Sequence, residues 1–108
     1  MKFLNIFKNR DSWYTLAPEK RAELEAVELA WTEKQLRSGK IKEAYLFGNG
    51  QGAVCIWDVA STEDMIRTLM EWPKRAYEEL EVTPLIEWDV VAKVFKGSME
   101  AAKKETPR

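Results

Sequence analysis

The 108 residues suffice for one domain and its core but not for two, and 45% apolar with 32% charged content is the composition of a globular chain. No stretch reaches the ~18 apolar residues a membrane helix requires, and Met1-Lys2-Phe3-Leu4-Asn5 has too short an apolar run for a signal peptide, so the cytoplasm is the expected compartment. A formal charge of −1, with Lys and Arg dispersed among Asp and Glu, lacks the basic footprint of nucleic-acid binding, and the absence of histidine removes the commonest metal ligand and the usual proton carrier near neutrality.

Lys2 to Lys8 alternates Phe3, Asn5 and Phe7 with Leu4 and Ile6, which predicts a first strand covered on both faces. Pro18 opens a helix that runs without further Pro or Gly to Ser38, and Gly39 supplies a left-handed cap. Around this helix Ala22, Ala26, Leu29, Ala30 and Leu36 share one side, with Leu24, Val27 and Trp31 beside them. One sheet needs only about a third of a helix's circumference, so the second strip is expected to meet a ligand or another subunit.

Lys40 to Phe47 and Ala53 to Val59 read as strands two and three, joined by a hairpin at Gly48-Asn49-Gly50-Gln51-Gly52. That glycine-rich turn resembles a phosphate loop only superficially, because no helix follows it. Ser61 with Asp64 forms a capping-box pattern for a second helix ending before Pro73, and Leu80 to Trp88 reads as a fourth strand in which Pro84 points to an edge. Val90 to Phe95 leans to helix, Gly97 follows, and the tip ending Thr106-Pro107-Arg108 is expected to be mobile. The expected division is a domain over residues 1–96 and a polar tail over 97–108.

The order βαββαβ is that of a ferredoxin-like α+β fold, an antiparallel four-stranded sheet with both helices on one face. The uncovered face, in a chain with 5 Trp, 4 Phe and 3 Tyr, predicts self-association through the sheet.

Gly39, Asp58-Val59, Ser61, Leu69, Pro73, Tyr77, Glu81-Val82 and Leu85 keep a spacing that resembles the muconolactone isomerase family, and Glu28 falls where that family's long helix also carries a glutamate. The resemblance implies a dimeric α+β barrel or larger assembly, no cofactor, and a cofactor-independent isomerase or lyase acting on a small cyclic or aromatic-derived metabolite. Where the family's second strand is rich in His, Arg and Trp, this chain has Lys42, Glu43, Tyr45 and Leu46, the last in place of an arginine that could hold a carboxylate. The alternative reading is a non-catalytic oligomeric module that binds a hydrophobic small molecule or a protein partner.

Glu28, at the margin of the apolar arc, is the candidate catalytic acid-base, with Glu33 as its competitor. Tyr45, Trp57, Tyr77 and Trp31 are the candidate lining of a substrate pocket, and no metal site is expected. Asp58 is expected to bond the turn after its strand, Cys55 to be a buried structural thiol, and Lys74 and Arg75 to be solvated.

Overall fold

Strand β1 (Lys2–Asn9) buries Phe3, Asn5 and Phe7 on one side and half-buries Leu4 and Ile6 on the other, the period of two that a central strand requires. The computed structural model describes residues 1–105 and sets β1 between β3 (Gly52–Asp58) and β4 (Glu78–Leu85), with β2 (Ile41–Leu46) on the far side of β3. All three pairings are antiparallel, giving the expected four-stranded α+β sheet in the order β2-β3-β1-β4. Pro84 sits on the edge strand β4, opposite Phe3, where its missing N–H breaks no interior ladder.

Between β1 and β2, helix α2 (Pro18–Ser38) has Pro18 in its first turn and ends at Gly39, whose φ of 81° is the left-handed cap. Helix α3 (Thr62–Met70) is capped by Ser61, whose Oγ accepts from the Asp64 N–H at 3.0 Å. The core between helices and sheet contains Phe3, Phe7, Ile41, Cys55, Trp57, Met65, Leu69 and Trp72, with Trp31 and Leu80 packed against it. On α2 the sheet-facing side is Arg21, Leu24, Glu28, Trp31 and Gln35, while Val27, Leu29, Glu33 and Leu36 are exposed. Burying Trp31 and Leu24 withdraws more apolar area than burying the alanine strip, which settles the helix's rotation.

The hairpin turns at Gly50, where φ is 73° and the N–H donates to the Phe47 carbonyl at 2.8 Å. A bulge between Ile41 and Glu43 changes the phase of β2, so Ile41, Ala44 and Leu46 share the helix side while Glu43 and Tyr45 turn outward.

Two short elements were not expected: helix α1 (Asp11–Tyr14), which buries Trp13, and a 3-10 turn at Arg75–Tyr77. Strand β4 starts and stops earlier than predicted, because Trp88 already belongs to helix α4 (Trp88–Glu105). That helix crosses the division expected at 96/97, since one interior Gly costs only about 1 kcal/mol and Ala, Lys, Met and Glu around it favour helix. The tip Thr106-Pro107-Arg108 lies outside the described residues. No described helix is long and apolar enough to cross a membrane.

At Gly52 a Cβ would stand 2.2 Å from the Phe7 carbonyl oxygen, whereas one at Gly48 would meet nothing within 4 Å. Gly52→Ala is expected to lower stability by about 1–3 kcal/mol and Gly48→Ala to stay within ~0.5 kcal/mol, read from urea denaturation midpoints.

Candidate active site

Three ionisable side chains from three segments meet beneath the tryptophans. Glu28 comes from the sheet-facing side of α2, Lys74 from the loop after α3, and Glu78 from the first position of β4, paired with Asn9. Glu78 is 1% and Lys74 7% exposed, values charged residues tolerate only with partners. Trp72 Nε1 donates to Glu78 Oε1 at 2.8 Å, and Lys74 Nζ lies 3.8 Å from Glu28 Oε2 and 4.0 Å from the centre of the Trp13 ring.

Trp72 is itself held edge-on by Phe7 at 4.5 Å and by Trp31 at 5.0 Å, so the indole N–H that serves Glu78 has little freedom. The α1 turn supplies Trp13, which also packs against Tyr77.

The electrostatics follow from burial. The Glu28 carboxyl is pushed up to about 7, first by loss of water and then by the charge of Glu78, with Lys74 opposing. Glu78 is also raised by burial, its shift restrained by the Trp72 hydrogen bond and by Lys74. Cys55 is pushed up to about 12 by burial and the two nearby carboxyls, which makes it a neutral thiol and a poor nucleophile.

Glu28 borders a cavity of about 410 Å³ between α2 and the β2–β3 half of the sheet. Phe7, Ala53, Cys55 and Trp72 form its floor, Ala44 and Leu46 its β2 side, and Leu29, Thr32 and Glu25 its α2 side. The β2 bulge is what aims Ala44 and Leu46 here.

Of the residues singled out from sequence, Glu28 and Tyr45 border this cavity. Tyr45 does so from the rim, 60% exposed, with its hydroxyl donating to Glu43 Oε1 at 3.2 Å, which raises the phenol's pKa. Trp57 is fully buried core, Trp31 packs against Trp57 and Trp72, and Tyr77 sits by Trp13; none of the three lines the cavity. Their aromatic bulk closes the core behind it instead.

Sequence reasoning missed Glu78 and Trp72 and expected Lys74 to be solvated. Lys74 is buried because it follows the α3 exit directly under Trp13, while Arg75 next to it is exposed, its guanidinium donating to Met70 Sδ. Glu78, Glu79 and Glu81 look alike as surface acids in the sequence, and only strand phase turns the first inward. Asp58 bonds the Met1 ammonium at 2.9 Å rather than the following turn, which lowers its pKa. A second cavity, about 380 Å³, lies between α3 and β4 with Arg10 and Arg75 at its border. It shares Glu78 with the cluster, but Glu28 does not border it.

A carboxyl raised from 4.5 to about 7 on folding binds its proton more tightly in the native state, so its contribution is full below pH 4.5 and is lost as pH rises through 7. Stability is expected to fall by on the order of 2–3 kcal/mol between pH 5 and 8. Glu28→Gln, which cannot ionise, removes most of that slope in urea midpoints taken across the range.

The family model for muconolactone delta-isomerase matches residues 1–89, which leaves nearly all of α4 outside it. The crystal structure of a muconolactone isomerase superposes with a TM-score of 0.70 at 24% identity, over 81% of this chain and 90% of that one. The structure of 5-chloro-2-hydroxyhydroquinone dehydrochlorinase from Burkholderia phenoliruptrix AC1100, in complex with 2,5-dihydroxybenzoquinone, gives 0.62 at 21% identity over 81% and 95%. At these identities the two structures establish a shared fold. No curated protein matches the chain.

Proposed function

The chain belongs to the muconolactone delta-isomerase family, and on that footing we propose that it is a cofactor-independent isomerase or lyase for a small cyclic or aromatic-derived metabolite, with Glu28 as its acid-base group. The observation that carries this reading is a carboxyl whose pKa lies near neutrality at the border of a cavity large enough for one ring.

In the isomerase reaction the Glu28 carboxylate takes a proton from a ring carbon next to a carbonyl, and the C–H electron pair moves into the enolate. The same carboxyl returns the proton at the conjugated carbon two bonds farther on, so the double bond migrates and no proton is gained or lost. In the lyase variant the electron pair expels a leaving group instead. A group with a pKa near the working pH serves as base and acid in turn. The Thr32 hydroxyl and the neutral Cys55 thiol border the cavity and can donate to the developing oxygen charge.

The lining also speaks to substrate class. Among the described residues, the charged groups at its border are Glu25 and Glu28, no Lys or Arg lines the cavity, and Leu46 occupies the β2 wall. A ring without a carboxylate therefore suits it better than an anionic lactone.

Two features support self-association. The outer sheet face carries Leu4, Ile6, Val54 and Ile56, and α4 exposes Val90, Val94, Phe95 and Met99 along one side. The radius of gyration is 19.2 Å and the long axis 71 Å, against about 13 Å expected for the radius of a compact chain of this length, because α4 stands away from its own sheet. A second copy covers both surfaces and closes the rim at Leu29, Tyr45 and Leu46, which are 60% or more exposed in the single chain. A chain ending at Glu87 is expected to sediment as a smaller species than the full chain; identical sedimentation of the two would remove α4 from the interface.

Glu28→Gln is expected to lower kcat by about 10²–10⁴ with little change in KM. Muconolactone and uncharged ring analogues, incubated in D2O and followed by NMR, provide the assay. Deuterium entering at a ring carbon supports the enzyme, and a parental rate in Glu28→Gln dismisses Glu28 as the base. A ligand bound tightly yet recovered unexchanged marks a binding module instead.

A further inference from the structure

We propose that Glu78 is a positioning residue for Glu28: the two carboxyls hold a single proton between them, with Lys74 as their counter-charge. Its catalytic consequence rests on the reading of Glu28 as the acid-base group; the sharing of the proton does not.

The argument begins with donors. Trp72 Nε1 occupies Glu78 Oε1 at 2.8 Å, while Glu78 Oε2 is buried with no donor. Glu28 Oε2 is likewise buried without a hydrogen bond, its nearest cation being Lys74 Nζ at 3.8 Å, too far for a good one. A buried carboxylate oxygen left without a donor is costly, and here two such oxygens belong to neighbouring carboxyls. One proton on this pair gives a donor to an acceptor that has none.

Charge leads to the same place. With both carboxyls ionised, the trio carries a net negative charge beneath Trp13, Trp31 and Trp72; with one proton retained, it is neutral. The other ionisable groups facing Glu28 do not change this balance. Glu25 on its own helix and the Cys55 thiol on β3 add no positive charge; neither Arg21, two turns earlier on α2, nor Arg10, whose Nε donates to the Glu78 backbone carbonyl at 3.1 Å, is among the charges that move either carboxyl.

The proton belongs mainly to Glu28, because the Trp72 N–H stabilises the anion on Glu78 and Glu28 has no such bond. Glu78 then accepts from Glu28 and fixes its carboxyl at the cavity wall. The device is distinct from a lone buried glutamate, since the second carboxyl sets both orientation and working pH.

The test uses the full chain labelled with ¹³C at the glutamate carboxyls. In the unmodified protein, Glu28 and Glu78 are expected to respond together to one neutral step. In Glu78→Gln, whose amide can still accept from Trp72 and can donate to Glu28, the Glu28 midpoint is expected to fall by about one unit or more. Lys74→Met, which keeps both carboxyls, should move it upward and serves if the Gln variant does not fold. A Glu28 midpoint unmoved in Glu78→Gln, or two independent titrations in the ordinary carboxylate range in the unmodified protein, overturns the proposal. In turnover, the acid limb of the pH profile of Glu78→Gln should shift with that midpoint while KM holds. Full activity in Glu28→Gln alongside a moved midpoint would reject Glu28 as catalyst and leave the proton pair standing.

Discussion

Burying two carboxyls with one ammonium is the constraint around which the helix side of this sheet is organised. Charges so placed persist only where nearby donors and a counter-ion offset the lost water. Trp72 provides the indole N–H to Glu78, and Lys74 lies against both Glu28 and the face of Trp13. Each supplier is anchored elsewhere: Trp72 by Phe7 and Trp31, Trp13 by the short α1 turn and Tyr77. The irregular segments that flank the Asn9–Glu78 end of the sheet thus have a common role, which is to bring polar hydrogens and a cation to a buried acid pair.

The same constraint links packing to chemistry. α2 turns Trp31 and Leu24 toward the sheet, and Glu28 lies on that side between them, so the rotation that buries the tryptophan also desolvates the carboxyl. The β2 bulge then sets Ala44 and Leu46 opposite α2 and leaves an apolar gap beside the acid. A carboxyl raised toward neutrality beside an apolar cavity is a by-product of how one helix and one bulged strand meet. Beyond the cavity, the outer sheet face keeps Leu4, Ile6, Val54 and Ile56 only half-buried, and α4 exposes Val90, Val94, Phe95 and Met99 in the single chain.

Much of this was legible in the residues. Alternation in Phe3 to Phe7, Pro18 and Gly39 bracketing the long helix, the Gly50 turn and the Ser61 cap fixed strands, helices and their order, because each is a local backbone preference. Glu28 stood out as an acid at the edge of an apolar arc for the same reason. The site around it did not, since Lys74 and Glu78 are ordinary surface residue types in an ordinary polar stretch. Trp57, Trp31 and Tyr77 drew attention as aromatics but went to the core and its margins, where bulk is needed.

By itself, then, the sequence determined the α+β order, the hairpin, the helix ends and one candidate acid, all of which depend on neighbours within a few residues. Tertiary structure alone decided which α2 side faces the sheet, that a single-residue bulge in β2 aims Leu46 into the cavity, and that Glu78 joins Glu28. These choices depend on strand phase and on contacts between residues distant in the chain, such as Glu28 with Lys74 and Glu78. A change of one position in phase reverses which side chain is buried, and that is why a half-ionised carboxyl pair can be hidden among acids that look alike in the sequence.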